Sequence, residues 1–177
     1  MPKKGFRALH MQNVRRKQIA TEEEAQKSRL LELFERTSPL PSDNEIQLLG
    51  PDVHRLVLVA FPPAMRLKFP PVAQRDYYAY SQEDWAGYLP PAGHKRPNHN
   101  FFFNSPLMRT HPRPWAKLIC CMAHEALHCL ARQALGDEDS FCASMVGEKK
   151  MSKSFRELRG QLLLTYPFMS DLIDICE

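Results

Sequence analysis

With 177 residues, 44% of them hydrophobic and 10% aromatic, the chain can bury a sizeable core as one domain and lacks the composition of a disordered segment. The net charge of +4 is too small to select a class of partner, and no run of eighteen apolar residues offers a membrane span. Five cysteines (Cys120, Cys121, Cys129, Cys142 and Cys176) are odd in number and gather around one segment. They read as reduced, buried residues rather than a disulfide framework, and no apolar signal core follows the basic start, so the expected location is cytoplasmic.

Residues 1–20 carry Lys3, Lys4, Arg7, Arg15, Arg16 and Lys17 and read as a basic flexible arm. A second basic cluster is Lys149, Lys150 and Lys153. Such clusters can hold nucleic acid but are more often solvated, and without interleaved aromatics a nucleic-acid partner is weakly supported. Thr21-Glu22-Glu23-Glu24 forms a capping box that predicts a helix from Thr21 to about Arg36, with Leu30, Leu31, Leu33 and Phe34 as its apolar stripe. Ser38 to Pro41 is a linker. Ser42 to Glu45 caps a short helix ending at Gly50-Pro51. His54 to Phe61, an apolar run containing β-branched residues, predicts a strand.

Residues 62–100 are rich in Pro, Tyr and Gly and predict long loops with strand fragments at Asp76–Tyr80 and Trp85–Leu89. Asn100 to Asn104 predicts a further strand. His111-Pro112-Arg113-Pro114 interrupts the chain, after which Trp115 to Leu135 runs without Gly or Pro. Leu118, Ile119, Met122, Ala126, Leu127, Leu130 and Ala134 recur there at helical spacing, and Gly136 follows at the stop position. A second helix is expected from Asp139 or Ser140 to Lys149. A third, capped by Ser154-Phe155-Arg156-Glu157, is expected to reach Tyr166-Pro167, and a short last one spans Ser170 to Cys176. The fold class is therefore α+β: a mainly helical single domain over 21–177 with a small sheet.

Within the long helix stands His124-Glu125-Ala126-Leu127-His128, an HExxH motif. Four-residue spacing sets both imidazoles on one face, where they can bind one Zn²⁺, and Glu125 can serve a water on the ion as a base. On a largely buried helix these polar groups are costly unless something satisfies them, and a metal would. The plainer alternative is a polar stripe on an ordinary amphipathic helix. Hydrolytic zinc sites need a third protein ligand, and Asp137, Glu138, Asp139 and Glu148 follow the motif. If the chain reverses near Asp137, the next helix sets Glu148 opposite Ala126, between the histidines, and Glu148 shares a stripe with Phe141, Ser144 and Met145. The acids at 137–139 lie roughly 10 Å along the helix from His128 and suit a turn better. A closed site of Cys121, His124, His128 and Cys142 fails on reach, because Cys121 and His128 are also about 10 Å apart along the axis. His111, Tyr166 and Arg159 are candidates for stabilising an oxyanion. Phe101, Phe102 and Phe103 suit either a substrate cleft or the core, with core the commoner use of such clusters.

The pattern over roughly residues 100–150 resembles the zincin metallopeptidases of the gluzincin type, in which a glutamate on the helix after HExxH is a ligand and an edge strand before the motif binds substrate. That resemblance implies His124, His128 and Glu148 as zinc ligands, Glu125 as the catalytic base and Phe101–Asn104 as the edge strand. Its implied partner is a protein or peptide substrate. The segment Asp137 to Met145 is similar to the SprT-like group, although that group has a histidine where Asp137 stands and a longer intervening loop. The function to expect is zinc-dependent peptide hydrolysis. The alternative is a non-catalytic host-interaction or nucleic-acid-associated protein on the same scaffold.

Overall fold

The computed structural model describes residues 4–79, 84–137, 152–171 and 173. Helix α1 spans Lys4–Phe34, α2 Asp43–Leu58 and α3 Pro63–Arg66, followed by strands β1 Arg75–Ala79, β2 Ala86–Leu89 and β3 His99–Phe103. Helices α4 Ser105–Arg109, α5 Pro114–Leu135 and α6 Lys153–Thr165 complete the order. Helices dominate and the one sheet is small, an α+β architecture. No helix among the described residues is long and apolar enough to cross a membrane.

Three elements differ from their sequence reading. The first helix does not begin at Thr21. It starts at Lys4, and the Thr21 hydroxyl donates to the Lys17 carbonyl (2.9 Å) from inside the helix. The stretch from Phe6 to Arg36 contains no Gly or Pro and is rich in Ala, Arg, Lys, Gln and Glu, so nothing local stops helix propagation. The second difference is His54–Phe61, which is not a strand but the end of α2 and the turn after it. Its apolar residues meet core on several sides, and such a run does not distinguish a buried strand from a buried helix. Gly50-Pro51 lies inside α2 and does not end it. The end comes at Val59–Phe61, where the Arg66 guanidinium donates to the Val59 and Phe61 carbonyls ahead of Pro62-Pro63. Third, α6 starts at Lys153, two residues earlier than a cap at Ser154 would set it. Its cap is Ser152, whose Oγ accepts from the Phe155 amide at 3.1 Å.

Several expectations match. Ser42 caps α2, with both its amide (2.9 Å) and its hydroxyl (2.6 Å) donating to Glu45. The strand fragments form at 75–79, 86–89 and 99–103. In the sheet, β3 is central, parallel to β1 (Tyr77 opposite Phe101) and antiparallel to β2 (Tyr88 opposite Phe101). The strand expected at the edge is thus the middle one, because both neighbours find it; β1 and β2 are the edges. Inward positions His99, Phe101 and Phe103 alternate with Asn100 and Phe102 on the other face.

The sheet's inner face and helices α1, α2, α4 and α6 all pack around α5. From Trp115 to Leu127 every residue of α5 is buried. Helix α2 meets β1 through Gly50, where an added Cβ would sit 2.2 Å from Cδ1 of the Tyr77 ring. Only a residue without a side chain allows that approach.

Candidate metal centre

Helix α5 is set at its central turn by a chain of hydrogen bonds from the opposite side of the core. The Met122 carbonyl can only accept, so His54 carries its proton on Nε2 and donates to it at 3.1 Å. His54 Nδ1 then accepts from the Tyr77 hydroxyl (2.9 Å), whose oxygen accepts from Arg75 Nη1 (2.9 Å). Full burial, reinforced by the nearby Arg75 charge, holds the His54 pKa down at about 3. The phenol of Tyr77 is pushed up, chiefly by burial. Rings of Phe69, Tyr77 and Phe101 enclose the imidazole. The chain ends two residues before His124.

One half-turn on, His124 and Glu125 are 3% and 4% exposed, and His128 is half-buried. Spacing of four brings the two imidazoles together: Nε2 of His124 and Nε2 of His128 are 3.0 Å apart, with ring centroids at 4.8 Å. Two nitrogens sharing one tetrahedral ion through bonds of 2.0–2.1 Å would stand about 3.3 Å apart. The observed pair is within a few tenths of an ångström of that, and imidazole is a favoured zinc donor, so these two residues fit the ion. The same distance suits an N–H···N hydrogen bond between two neutral rings.

Over both imidazoles lies Phe155, a residue that nothing in the sequence singled out. Its ring centroid is 5.0 Å from that of His124 and 4.4 Å from that of His128, and the side chain is fully buried. The Ser152 cap places it there by starting α6 one turn away. A single aromatic on a separate helix leaves no spacing signal relative to HExxH, so only the packing of α6 on α5 reveals it.

Among the described residues no group of three His, Cys, Asp or Glu is placed to hold an ion. Glu148, Glu138, Asp139 and Cys142 lie outside those residues, as does the helix expected from Asp139 to Lys149. Asp137 follows Gly136, which takes the left-handed conformation (φ 66°), and the amides of both donate to the Ala131 carbonyl. This is a helix stop, in keeping with a turn role for Asp137. Cys121 is buried one turn before His124.

The oxyanion candidates separate. Tyr166 is fully buried and its hydroxyl donates to the Leu56 carbonyl at 2.7 Å, a packing role far from the pair's chemistry. His111 sits before the start of α5, its Nδ1 accepting from the Arg113 amide and its ring edge-on to Trp85. Ten residues of helix from Pro114, roughly 15 Å of rise, separate that end of α5 from His124. Arg159 is one turn beyond Phe155 on α6 and half-buried. Phe101 and Phe103 are core, whereas Phe102 stacks on Tyr78 at 5.5 Å across the outer sheet face.

A neighbouring polar cluster lies on another face of α5. Tyr88 Oη is 2.8 Å from His99 Nδ1, and Cys129 Sγ is 4.0 Å from the same nitrogen. Burial pushes the Cys129 thiol up to about 12 and lowers the His99 pKa, with the Arg132 charge helping. A thiol so held is protonated and inert as a nucleophile. On the first face, two turns before His124, Lys117 is fully buried with its ammonium 4.2 Å from the Trp85 ring centre.

Comparison with protein-family models, with curated proteins and with solved structures gives no match to this chain.

Proposed function

We propose that the chain is a zinc-dependent peptidase acting on a protein or peptide in the cytoplasm. The observation that carries this reading is the convergence of the His124 and His128 Nε2 atoms to 3.0 Å beside a buried Glu125 on one helix. His124 and His128 would hold the ion, with Glu148 as the third ligand that hydrolytic sites need. Zinc, when bound, supplies Lewis acidity toward a carbonyl oxygen and lowers the pKa of water toward 7. Glu125 would take a proton on its carboxylate from the attacking water and return it to the leaving amine. Phe155 would keep bulk water from the imidazoles, which strengthens the electrostatics between them and their surroundings. The buried thiols of Cys120, Cys121 and Cys129 support the placement in a reducing compartment.

Metal content of the protein purified without added metal, followed by hydrolysis of a mixed peptide pool, tests the reading. About one zinc per chain is expected, since a hydrolytic site of this type holds a single ion. His128→Ala should lose it, Glu148→Ala should reduce it and Glu125→Gln should retain it. Glu125→Gln should also slow hydrolysis by roughly 10²–10⁴-fold, the usual worth of a general base. Wild-type protein that takes up no zinc even when it is supplied would leave the two imidazoles as a hydrogen-bonded pair. Zinc bound without Glu125-dependent hydrolysis would make the centre structural and the protein a binding scaffold.

A further inference from the structure

On the far side of α2 from the metal helix, a cleft of about 740 Å³ opens between α2 and the Phe69–Arg75 segment. That volume is within the range of small-molecule sites. Its walls combine an apolar part (Leu48, Pro71 and Val72) with the guanidinium groups of Arg55, Arg66 and Arg75. Leu48 and Val72 are 79% and 56% exposed, so the apolar part of the wall is open to a ligand.

We propose that this cleft binds a small organic anion, a carboxylate or phosphate attached to an apolar body, with Arg75 as its anchor. The three arginines are not equivalent. Arg66 is committed to Glu23 and to the Val59 and Phe61 carbonyls. Arg55 is paired with Asp52, the one carboxylate among the described residues lining the cleft, which Arg29 also bridges at 2.9 Å. Four guanidinium groups thus meet two carboxylates, and the excess charge is positive. Arg75 is paired with no carboxylate among the described residues. It lies over the Phe69 ring at 5.2 Å, donates through Nη1 to Tyr77, and its Nε is buried without a hydrogen-bond partner among the described residues.

Two further features fit an anion. A guanidinium fork matches carboxylate and phosphate oxygens in pairs, which makes arginine suited to both. The Arg75 side chain is also fixed in advance by the Phe69 face and the Tyr77–His54 chain, so little conformational freedom is lost on binding. Leu48, Pro71 and Val72 would cover the apolar body of the ligand.

Calorimetric titration of the full chain with inorganic phosphate and, separately, with succinate tests the proposal at low salt. Saturable one-to-one binding of at least one probe is expected, and the stronger probe names the anionic group. Arg75→Gln should weaken it about ten-fold or more, since a hydrogen bond to a charged group is worth at least that much. Because Arg75 also supports Tyr77, Val72→Asp serves as a second variant: it places a carboxylate at an exposed rim position and should weaken binding about three-fold or more at low ionic strength. No saturable binding of either probe would overturn the proposal. So would binding of equal strength in wild type and Val72→Asp, which would place the anion elsewhere.

Discussion

Gly50 and Phe155 are the residues whose neighbours leave them least choice. At Gly50 a Cβ would overlap the Tyr77 ring at 2.2 Å and 2.5 Å. That ring cannot swing away, because its hydroxyl lies between Arg75 and His54 in the buried hydrogen-bond chain. Gly50→Ala is therefore expected to destabilise the protein by about 2–3 kcal/mol or more, at the upper end of overpacking costs. Urea denaturation at neutral pH measures it, and a loss under 1 kcal/mol would mean that α2 and β1 can move apart. Of the candidate centre, the sequence makes His124, Glu125 and His128 legible, since helical periodicity alone brings i and i+4 together. Phe155 and the His54–Tyr77–Arg75 chain were not legible. Their partners are distant in sequence, and no residue type among them announces the contact. Gly50 was read as a helix stop because Gly-Pro usually marks a boundary, when its purpose is the close approach of Tyr77.

At the scale of elements, helix ends decided which readings survived. Helix α5 was read within one residue of its bounds because Pro114 and Gly136 are both physical stops: one lacks the amide that only an interior position needs, the other accepts positive φ. An added Cβ at Gly136 would meet nothing within 4 Å, so the cost of a side chain there is backbone strain alone. Gly136→Ala should lower stability by about 1–2 kcal/mol, and Gly136→Asn by less, since Asn tolerates the left-handed region. Equal denaturation midpoints for wild type and Gly136→Ala would show that the turn relaxes. Helices α1 and α2 were misread for the converse reason. Thr21 carries a capping-box pattern yet spends its hydroxyl on the Lys17 carbonyl, and Pro51 breaks one hydrogen bond without breaking α2. The apolar run after it is helical because α1, α5 and β1 surround α2, a tertiary fact no local window contains. Similarly, β3 became central rather than an edge because 75–79 and 86–89 both pair with it.

Across the whole molecule, a sheet edge, α2 and α5 are joined through one buried neutral imidazole, and that has a consequence for acid stability. The α+β class was legible from alternating strand fragments set among longer helical periods, but the tie between layers was not. His54 keeps a pKa of about 3 when folded, against an ordinary 6.5 when exposed, so between these values the unfolded chain binds the extra proton. Stability therefore falls as pH drops below 6.5, and it continues to fall toward pH 3. His99, lowered by burial and by Arg132, acts in the same direction. From pH 7 to pH 5, His54 alone should remove about 2 kcal/mol, at 1.36 kcal/mol per pKa unit. Comparing urea midpoints at the two pH values isolates it: His54→Gln should be less stable than wild type at pH 7 yet lose about 2 kcal/mol less on acidification. The same dependence on pH in both proteins would rule out His54 as the source. If instead the difference appears, the proton is bound by His54 in the unfolded chain, because in the folded protein its Nδ1 is held as the acceptor of the Tyr77 hydroxyl. The acid sensitivity would then reside in the link that positions Met122, two residues before His124, rather than in the histidines of the candidate centre.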